Sequence, residues 1–316
     1  MDGILIINKP QGRTSHDIVS KVKKLVNAKV GHTGTLDPNA TGVLPLLIGK
    51  GTLCSQYLIE HDKIYEVVLK LGIKTDTADS EGSIIEQKEV FSTNMNKKNV
   101  ENILRSFLGK REQIPPIYSA IKVNGKKLYE YARKGQSVEL KPRQIEIFEI
   151  KLNEINIEEN EICFKVHCSK GTYIRSLCED IASKLNTVGY MKSLNRTKVG
   201  KFDIKEAMTV EELEQNIQNP EFIKEHLITI ENLFNENETI IITEVRMKHF
   251  INGVKLTFKL KDGLYKIYDE NNVFIGVGSI RNNLLKREII LNLWNLTCYC
   301  SVKHRGRMGS KKCSIF

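Results

Sequence analysis

The chain has no apolar run that approaches the roughly 18 residues of a membrane span, which excludes a helical membrane protein. Its first residues, MDGILIINKP, place an acid where a signal peptide carries bases and hold an apolar run of only four residues, so we expect no leader. The seven cysteines are odd in number and scattered, which argues against a disulfide framework. The sequence therefore predicts a cytoplasmic protein with reduced thiols.

Two segments carry charges of almost only one sign: basic residues are nearly missing from the first, and acidic residues are missing from the second. Residues 206–244 hold one base against ten acids, and residues 297–316 hold no acid. The formal charge is +9 over 1–205, −9 over 206–244, +5 over 245–296 and +5 over 297–316, for a net charge of +10. Two basic bodies on either side of an acidic connector suit a polyanionic partner such as RNA. A chain of 316 residues has room for about two domains.

Residues 28–52, AKVGHTGTLDPNATGVLPLLIGKGT, are rich in glycine and hold a single carboxylate, Asp37. Glycines such as Gly34 and Gly42 can adopt backbone conformations closed to other residues, and Pro38 fixes the chain just after the acid. This pattern predicts a tightly folded loop that presents one side chain, followed by an apolar strand or helix at 43–48. An aspartate that merely caps a turn is the structural alternative.

The end of this stretch, GKGT at residues 49–52, superficially resembles a phosphate-binding loop. That motif requires a glycine where this chain has Leu44, and a serine or threonine where it has Gly51. The sequence thus excludes a nucleotide hydrolase of this type.

The rest of the first 205 residues alternates between strand and helix patterns. Hydrophobic periodicity and capping signals predict a helix that opens at Thr14, a strand over 63–72, a helix over 97–108, a strand over 162–168 and a helix over 174–185. Arg175 falls in the first turn of the last helix, where the helix dipole disfavours a cation. It therefore requires either solvent or a carboxylate partner.

Five motifs resemble, in order, those of the TruB family of tRNA pseudouridine synthases. They read NKPQG…TSHD, GHTGTLDP…TGVLPLLIG, KxYxV…LGxxTDTxD…G, QxPPxYSAxKxxGxxLYxYAR and CSKGTYIRSL, and the resemblance spans residues 3–205. It implies an α+β fold with a mixed, mainly antiparallel sheet. It also implies isomerisation of uridine to pseudouridine at position 55 in the T-loop of tRNAs. That chemistry needs no cofactor and no metal.

The same resemblance implies roles for single residues. Asp37 is expected to be the nucleophile, Arg175 its salt-bridge partner, and Tyr65 the residue that stacks on the target base and moves a proton. The expected substrate-binding residues are His32, Tyr65, Tyr173, Leu194 and Lys9. We further expect Arg175 to keep Asp37 ionised and to lower its pKa.

Structural roles remain open for three of these residues. Tyr65 could be a core tyrosine with a satisfied hydroxyl, His32 could satisfy loop carbonyls, and Lys9 could be a solvated turn lysine. The Lys-Pro turn is also expected to support the catalytic loop.

We expect a catalytic domain over 1–230 that includes an acidic connector at 206–238, and a second, β-rich domain over 239–296. In the second domain, a helix is predicted over 243–253, with alternating strands over 256–260, 265–268 and 273–277. This domain resembles a PUA domain, an RNA-binding module with a barrel-like sheet.

The basic tail over 297–316 lacks periodicity, and we expect it to be disordered. Its potential zinc ligands, Cys298, Cys300, His304 and Cys313, match no standard spacing, so no metal is expected.

The expected partner is the T-arm of tRNA, bound by a monomer with no membrane and no obligatory protein partner. Two alternatives remain. One is a tRNA-binding folding helper in which catalysis is secondary, which would need the pocket and basic faces but not Asp37. The other is a guide-RNA-dependent relative of the family, which depends on partner proteins and extra terminal segments.

Overall fold

A computed structural model describes residues 1–119, 121–123, 125–132, 136, 138 and 140–291. These residues form two compact units, one over Gly3–Leu227 and one from Ile228 onward. The tail expected at 297–316, with its four potential zinc ligands, lies outside the described residues.

The first unit contains thirteen strands and seven helices within the described residues. The strands are β1 Gly3–Lys9, β2 Val30–His32, β3 Thr41–Ile48, β4 Lys63–Leu71, β5 Ile73–Thr75, β6 Ile84–Gln87, β7 Gly109–Gln113, β8 Lys122–Val123, β9 Lys126–Lys127, β10 Arg143–Asn156, β11 Glu161–Cys168, β12 Gly189–Val199 and β13 Phe202–Asp203. The helices are α1 Ser15–Val26, α2 Ser55–Leu58, α3 Lys97–Arg105, α4 Leu128–Ala132, α5 Ile174–Lys184, α6 Val210–Asn216 and α7 Pro220–His226.

Nine of these strands form one sheet in the order β1-β3-β12-β4-β11-β10-β7, with β2 on β3 and β13 on β12. All pairs are antiparallel except β3 and β12, which run parallel at Thr41–Asn195 and Gly42–Arg196. The α+β fold class and its mixed, mainly antiparallel sheet are thus confirmed. The parallel contact places the strand after the Asp37 loop beside the strand that carries Leu194.

The helix predicted at Thr14 is confirmed, together with its capping box. The Thr14 hydroxyl accepts the Asp17 amide at 3.0 Å, and the Asp17 carboxylate accepts the Thr14 amide at 2.9 Å. The apolar stripe of α1 is buried with Leu5 and Ile7 of β1 in one core. A second core lies between the middle of the sheet and helices α3 and α5, and it includes the loop residue Leu36.

The segment expected to be an acidic connector at 206–238 begins inside the first unit. The Asn8 amide donates to the Met208 carbonyl at 2.8 Å, and the Met208 amide donates to the Ile6 carbonyl at 3.0 Å. Val210 and Leu213 of α6 are buried in the core with α1. The interpretation as a connector is therefore corrected for this part, because the acidic residues lie on the exposed face of a helix whose apolar residues are buried.

The second unit contains a five-stranded sheet within the described residues. Its elements are α8 Ile230–Leu233, β14 Thr239–Ile241, α9 Glu244–Ile251, β15 Leu256–Thr257, β16 Gly263–Tyr268, β17 Phe274–Arg281 and β18 Leu284–Ile290. The strand order is β14-β16-β17-β18-β15, with only β14 and β16 parallel. The helix and strands predicted here are present with shifted ends, whereas α8, β14 and β18 were not predicted. Across the described part of both units, no helix combines the length and apolarity that crossing a bilayer demands.

Gly42 and Gly12 form a matched pair for testing how closely β3 and β12 must approach. Both have positive φ, +103° and +78°, but a Cβ on Gly42 would lie 2.2 Å from the Arg196 carbonyl oxygen, whereas one on Gly12 would meet nothing within 4 Å. We expect Gly12→Ala to cost about 1–2 kcal/mol, the left-handed backbone penalty. Gly42→Ala is expected to cost at least about 3 kcal/mol, because the strands must also separate. Urea unfolding followed by circular dichroism measures the free energy of unfolding of both variants. Equal losses of this free energy would contradict the close approach of β3 and β12.

Candidate active site

Asp37 lies on the loop between β2 and β3. Gly34 and Gly42 have φ values of +85° and +103° near the two ends of this loop, a region that favours glycine. The Ala40 amide donates to the Asp37 carbonyl at 3.1 Å, which closes a tight turn just after the acid. The loop therefore presents the Asp37 side chain from a constrained backbone, as the glycine and proline pattern predicts.

The Lys9 side chain stabilises this loop through hydrogen bonds to backbone carbonyls. Its side chain is fully buried, and its ammonium group donates to the carbonyls of Pro10, Arg13 and Pro38 at 2.8, 2.6 and 2.9 Å. Burial lowers the pKa of Lys9 to about 8. The three hydrogen bonds can use all three ammonium protons on carbonyls of the turn and the loop, which fits the supporting role expected of the Lys-Pro turn, while the substrate-binding role of Lys9 stays a prediction.

Arg175 joins three segments of the chain. Its Nε lies 3.1 Å from Asp37 Oδ2, and its Nη1 lies 3.5 Å from Asp79 Oδ2. The same guanidinium donates to the carbonyls of Thr77 at 3.1 Å and Tyr118 at 2.9 Å. Its side chain is only 7% exposed. Two carboxylates thus compensate a buried arginine in the first turn of α5, where the helix dipole alone would disfavour it.

Asp79 was part of a sequence motif but had no assigned role. Its carboxylate accepts the Thr77 hydroxyl at 2.6 Å and the Glu81 amide at 3.1 Å, in addition to facing Arg175. A carboxylate held at several points fixes the guanidinium that it faces. Asp79 therefore orients Arg175 toward Asp37.

The environment of Asp37 changes its acidity in the direction opposite to our expectation. Burial raises the pKa of Asp37, while Arg175 acts against this rise and Asp79 adds to it. Arg175 thus acts on this pKa in the predicted direction, but the net pKa is raised because burial outweighs the guanidinium. The cost of removing the carboxylate from water exceeds the gain from a guanidinium that is shared with a second carboxylate.

A cavity of about 540 Å³ opens beside Asp37. The side chains predicted for the site that line it are Tyr65, Tyr173, Arg175 and Leu194, and its cationic lining residues further include Lys63, Arg143, Lys170 and Arg196. One carboxylate thus faces an aromatic and cationic pocket. Such a pocket suits a planar ligand that carries negative charge nearby.

The two tyrosines that line the cavity come from different elements of the fold. Tyr65 is only 7% exposed and lies on β4, and burial raises its pKa to about 12. Tyr173 is half-buried at the N-terminus of α5, and its backbone exchanges two hydrogen bonds with the Gln113 side chain at 2.8 and 2.9 Å. Leu194 faces them from β12. Both phenols are therefore neutral at pH 7.

Arg196 lines the same cavity and was not singled out from the sequence. It is 1% exposed, donates from Nε to the Val43 carbonyl at 2.8 Å and from Nη2 to the Gly34 carbonyl at 2.9 Å, and lies directly opposite Tyr65 in the register of β12 and β4. The signal was present in the sequence. Arg196 follows Leu194 by two residues, and alternate residues of a strand share a face.

His32 is not among the described residues that line the cavity. It ends β2, opposite Leu46, and its Nδ1 is buried with no hydrogen-bond partner in the described part of the chain. Burial and the nearby Arg196 charge lower its pKa, so the ring is neutral at pH 7. The structure thus places His32 beside the loop, outside the pocket that holds Asp37.

Three consecutive sequence matches cover most of the chain. Residues 22–174 match the N-terminal domain of the TruB family pseudouridylate synthases, residues 175–235 match the tRNA pseudouridylate synthase B C-terminal domain, and residues 239–287 match the C-terminal domain of pseudouridine synthase II TruB. The chain is 45% identical over 285 residues to tRNA pseudouridine synthase B of Clostridium kluyveri, covering 88% of this chain and 95% of that protein. It is 41% identical over 281 residues to the protein of the same name from Caldanaerobacter subterraneus, with the same coverage.

Solved structures share the fold. A chain of an H/ACA RNP bound to a substrate RNA superposes with a TM-score of 0.66 at 21% identity, covering 92% of this chain and 85% of that one. A chain of the archaeal box H/ACA sRNP Nop10-Cbf5 complex gives 0.65 at 22% identity, covering 92% and 89%. The three sequence matches and the relatives, which cover most of both chains, place this protein among the pseudouridylate synthases. Within that class, the chain belongs to the TruB family.

The raised pKa of Asp37 predicts how stability responds to its replacement. A carboxyl group whose pKa is raised by folding stabilises the protein fully below its unfolded-state pKa, and that contribution is lost as the pH rises through the folded-state pKa. We therefore expect Asp37→Asn to have a higher Tm than the unchanged protein at pH 7. The difference should shrink at pH 5.5 and again at pH 4, as measured by calorimetry.

Asp79→Asn is the matched control for this measurement. Its carboxylate accepts two hydrogen bonds and faces Arg175, so its replacement should lower the Tm at pH 7. If Asp37→Asn has a lower Tm than the unchanged protein at pH 7, the ionised Asp37 carboxylate does not destabilise the fold and the prediction is wrong.

Proposed function

We propose that the protein isomerises uridine to pseudouridine at position 55 in the T-loop of tRNA, with Asp37 as the nucleophile. One observation carries the proposal. In a chain of the TruB family, the carboxylate of a constrained loop lies 3.1 Å from a buried arginine, at the wall of a pocket that two tyrosines line. Relatives at 45% and 41% identity bear the name tRNA pseudouridine synthase B, which supports tRNA as the substrate.

The reaction exchanges one bond of the nucleoside for another. The bond between ribose C1′ and uracil N1 breaks, the uracil turns, and a bond forms between C1′ and C5. The C5 proton leaves to solvent and N1 gains a proton, so the atoms balance without a redox step. The Asp37 carboxylate can add to the ring or capture C1′, and either route needs the ionised form.

The pocket residues fit the remaining steps. A uridine in a folded T-loop must leave its stack to enter a cavity of this kind, at a cost of a few kcal/mol. Tyr65 and Tyr173 offer ring faces to the extruded base. Arg175 holds the carboxylate in place, and the region around Tyr65 is where the C5 proton must be removed.

Cations at the cavity suit a phosphodiester ligand. Lys63, Arg143 and Lys170 line the cavity beside the buried guanidiniums, and such side chains position a nucleic acid through its phosphates. Residues 245–296 carry a formal charge of +5, which supports RNA binding by the second unit. We propose that the protein acts in the cytoplasm as a monomer on the T-arm, without a guide RNA or a partner protein.

Tritium at uracil C5 provides a direct test with the purified protein alone. Unmodified tRNA labelled at C5 should release tritium to water in single-turnover reactions with the unchanged protein. We expect Asp37→Asn to reduce the rate by roughly 10⁴-fold or more, as loss of a nucleophile does, while tRNA binding is retained. Replacing the T-loop uridine at position 55 with cytidine should abolish the release.

Asp17→Asn is the control, because Asp17 is exposed and only caps α1. It should lower stability modestly and leave the rate per folded molecule unchanged. Tight tRNA binding without tritium release by the unchanged protein would overturn the enzyme assignment. That outcome would favour the folding helper, or an enzyme that needs a guide RNA.

A further inference from the structure

Arg196 is the largest fully buried side chain among the described residues. None of the ion pairs within the described part of the chain includes it. A buried guanidinium without a carboxylate partner is costly, so its retention calls for a reason. Its hydrogen bonds supply one, because they all go to parts of the active site.

Two hydrogen bonds donated by the Arg196 guanidinium hold the loop that carries Asp37. The Gly34 and Val43 carbonyls, which accept from Nη2 and Nε at 2.9 and 2.8 Å, lie on either side of Asp37 in the sequence. A planar guanidinium presents several donors in a fixed geometry, so one side chain sets the separation of the two loop ends.

The same guanidinium also interacts with Tyr65, its direct neighbour across the sheet. Sheet register makes this contact possible, because Arg196 of β12 pairs with Tyr65 of β4 on one side and with Gly42 of β3 on the other. Directly paired residues in a sheet place their side chains on the same face. Gly42 lacks the Cβ that would lie 2.2 Å from the Arg196 carbonyl oxygen, so the two backbones can approach.

We propose that Arg196 is a positioning residue that orients the Tyr65 hydroxyl and fixes the Asp37 loop relative to it. In the proposed arrangement the guanidinium donates to the phenol oxygen, because a guanidinium can only donate, and this leaves the phenol's own proton for the pocket. The relative placement of phenol and carboxylate then depends on one buried side chain. This inference rests on the proposed function only for its kinetic consequence.

The contact is tested without catalysis by labelling tyrosine Cζ with ¹³C. The Tyr65 signal is identified as the one that disappears in Tyr65→Phe. We expect it to shift in Arg196→Lys, because a lysine ammonium cannot reproduce the planar set of donors. The signal should stay in place in Arg105→Lys, a matched change at an exposed residue of α3. An unshifted Tyr65 signal in folded Arg196→Lys overturns the proposal.

The role is tested by single-turnover tritium release in a double-mutant cycle. We expect Arg196→Lys to slow the reaction about 10- to 100-fold, the loss of a charge-assisted hydrogen bond, with the dissociation constant for tRNA changed less than about threefold. In the Tyr65→Phe background the same change should cost clearly less, because part of its effect passes through the phenol. Equal costs in the two backgrounds would indicate a purely structural role and overturn the proposal.

Two outcomes keep this test separate from that of the proposed function. If the unchanged protein releases no tritium, the proposed function fails, and the Tyr65 signal alone still decides whether Arg196 orients the phenol. If Arg196→Lys does not fold, the reciprocal measurement uses Tyr65→Phe. The slowly exchanging guanidinium protons of Arg196 should then shift relative to the unchanged protein, and unchanged signals overturn the proposal.

Discussion

The ion pair between the buried Arg175 and the partly exposed Asp37 is the interaction on which the rest of the site depends. A carboxylate removed from water is expensive, and the fold offsets that cost only in part, because Arg175 is shared with Asp79. The pKa of Asp37 stays raised as a result. The raised pKa means that this environment disfavours the ionised form of Asp37 relative to water, and it is the ionised form that the proposed reaction requires.

A single feature of the sheet brings the parts of this site together. The parallel contact between β3 and β12 inserts β12 between the strand that follows the Asp37 loop and the strand that carries Tyr65. Leu194 and Arg196 thereby face the pocket from one strand. Helix α5 packs against the same sheet and delivers Arg175 and Tyr173 from its first turn.

The loop itself is held from two sides. The Lys9 ammonium binds the Pro38 carbonyl just after the acid, and the Arg196 guanidinium binds carbonyls before and after it. Both cations are buried and donate hydrogen bonds to backbone carbonyl oxygens. Fixed donors of this kind restrict the motion of the Asp37 loop, and such positioning would contribute to catalysis under the proposed function.

Local signals in the sequence determined the capped helix at Thr14, the alternating strand through Tyr65 and the constrained loop around Asp37, because capping, alternation and glycine positions act within a few residues. Family motifs added the expected roles of Asp37 and Arg175. The tertiary structure alone decided the burial of Lys9, the folding of the acidic segment after Met208, the direction of the Asp37 pKa and the hydrogen bonds from Arg196 to both ends of the Asp37 loop. These depend on contacts between distant segments, such as the 138 residues that separate Asp37 from Arg175, and on desolvation, which no local pattern encodes.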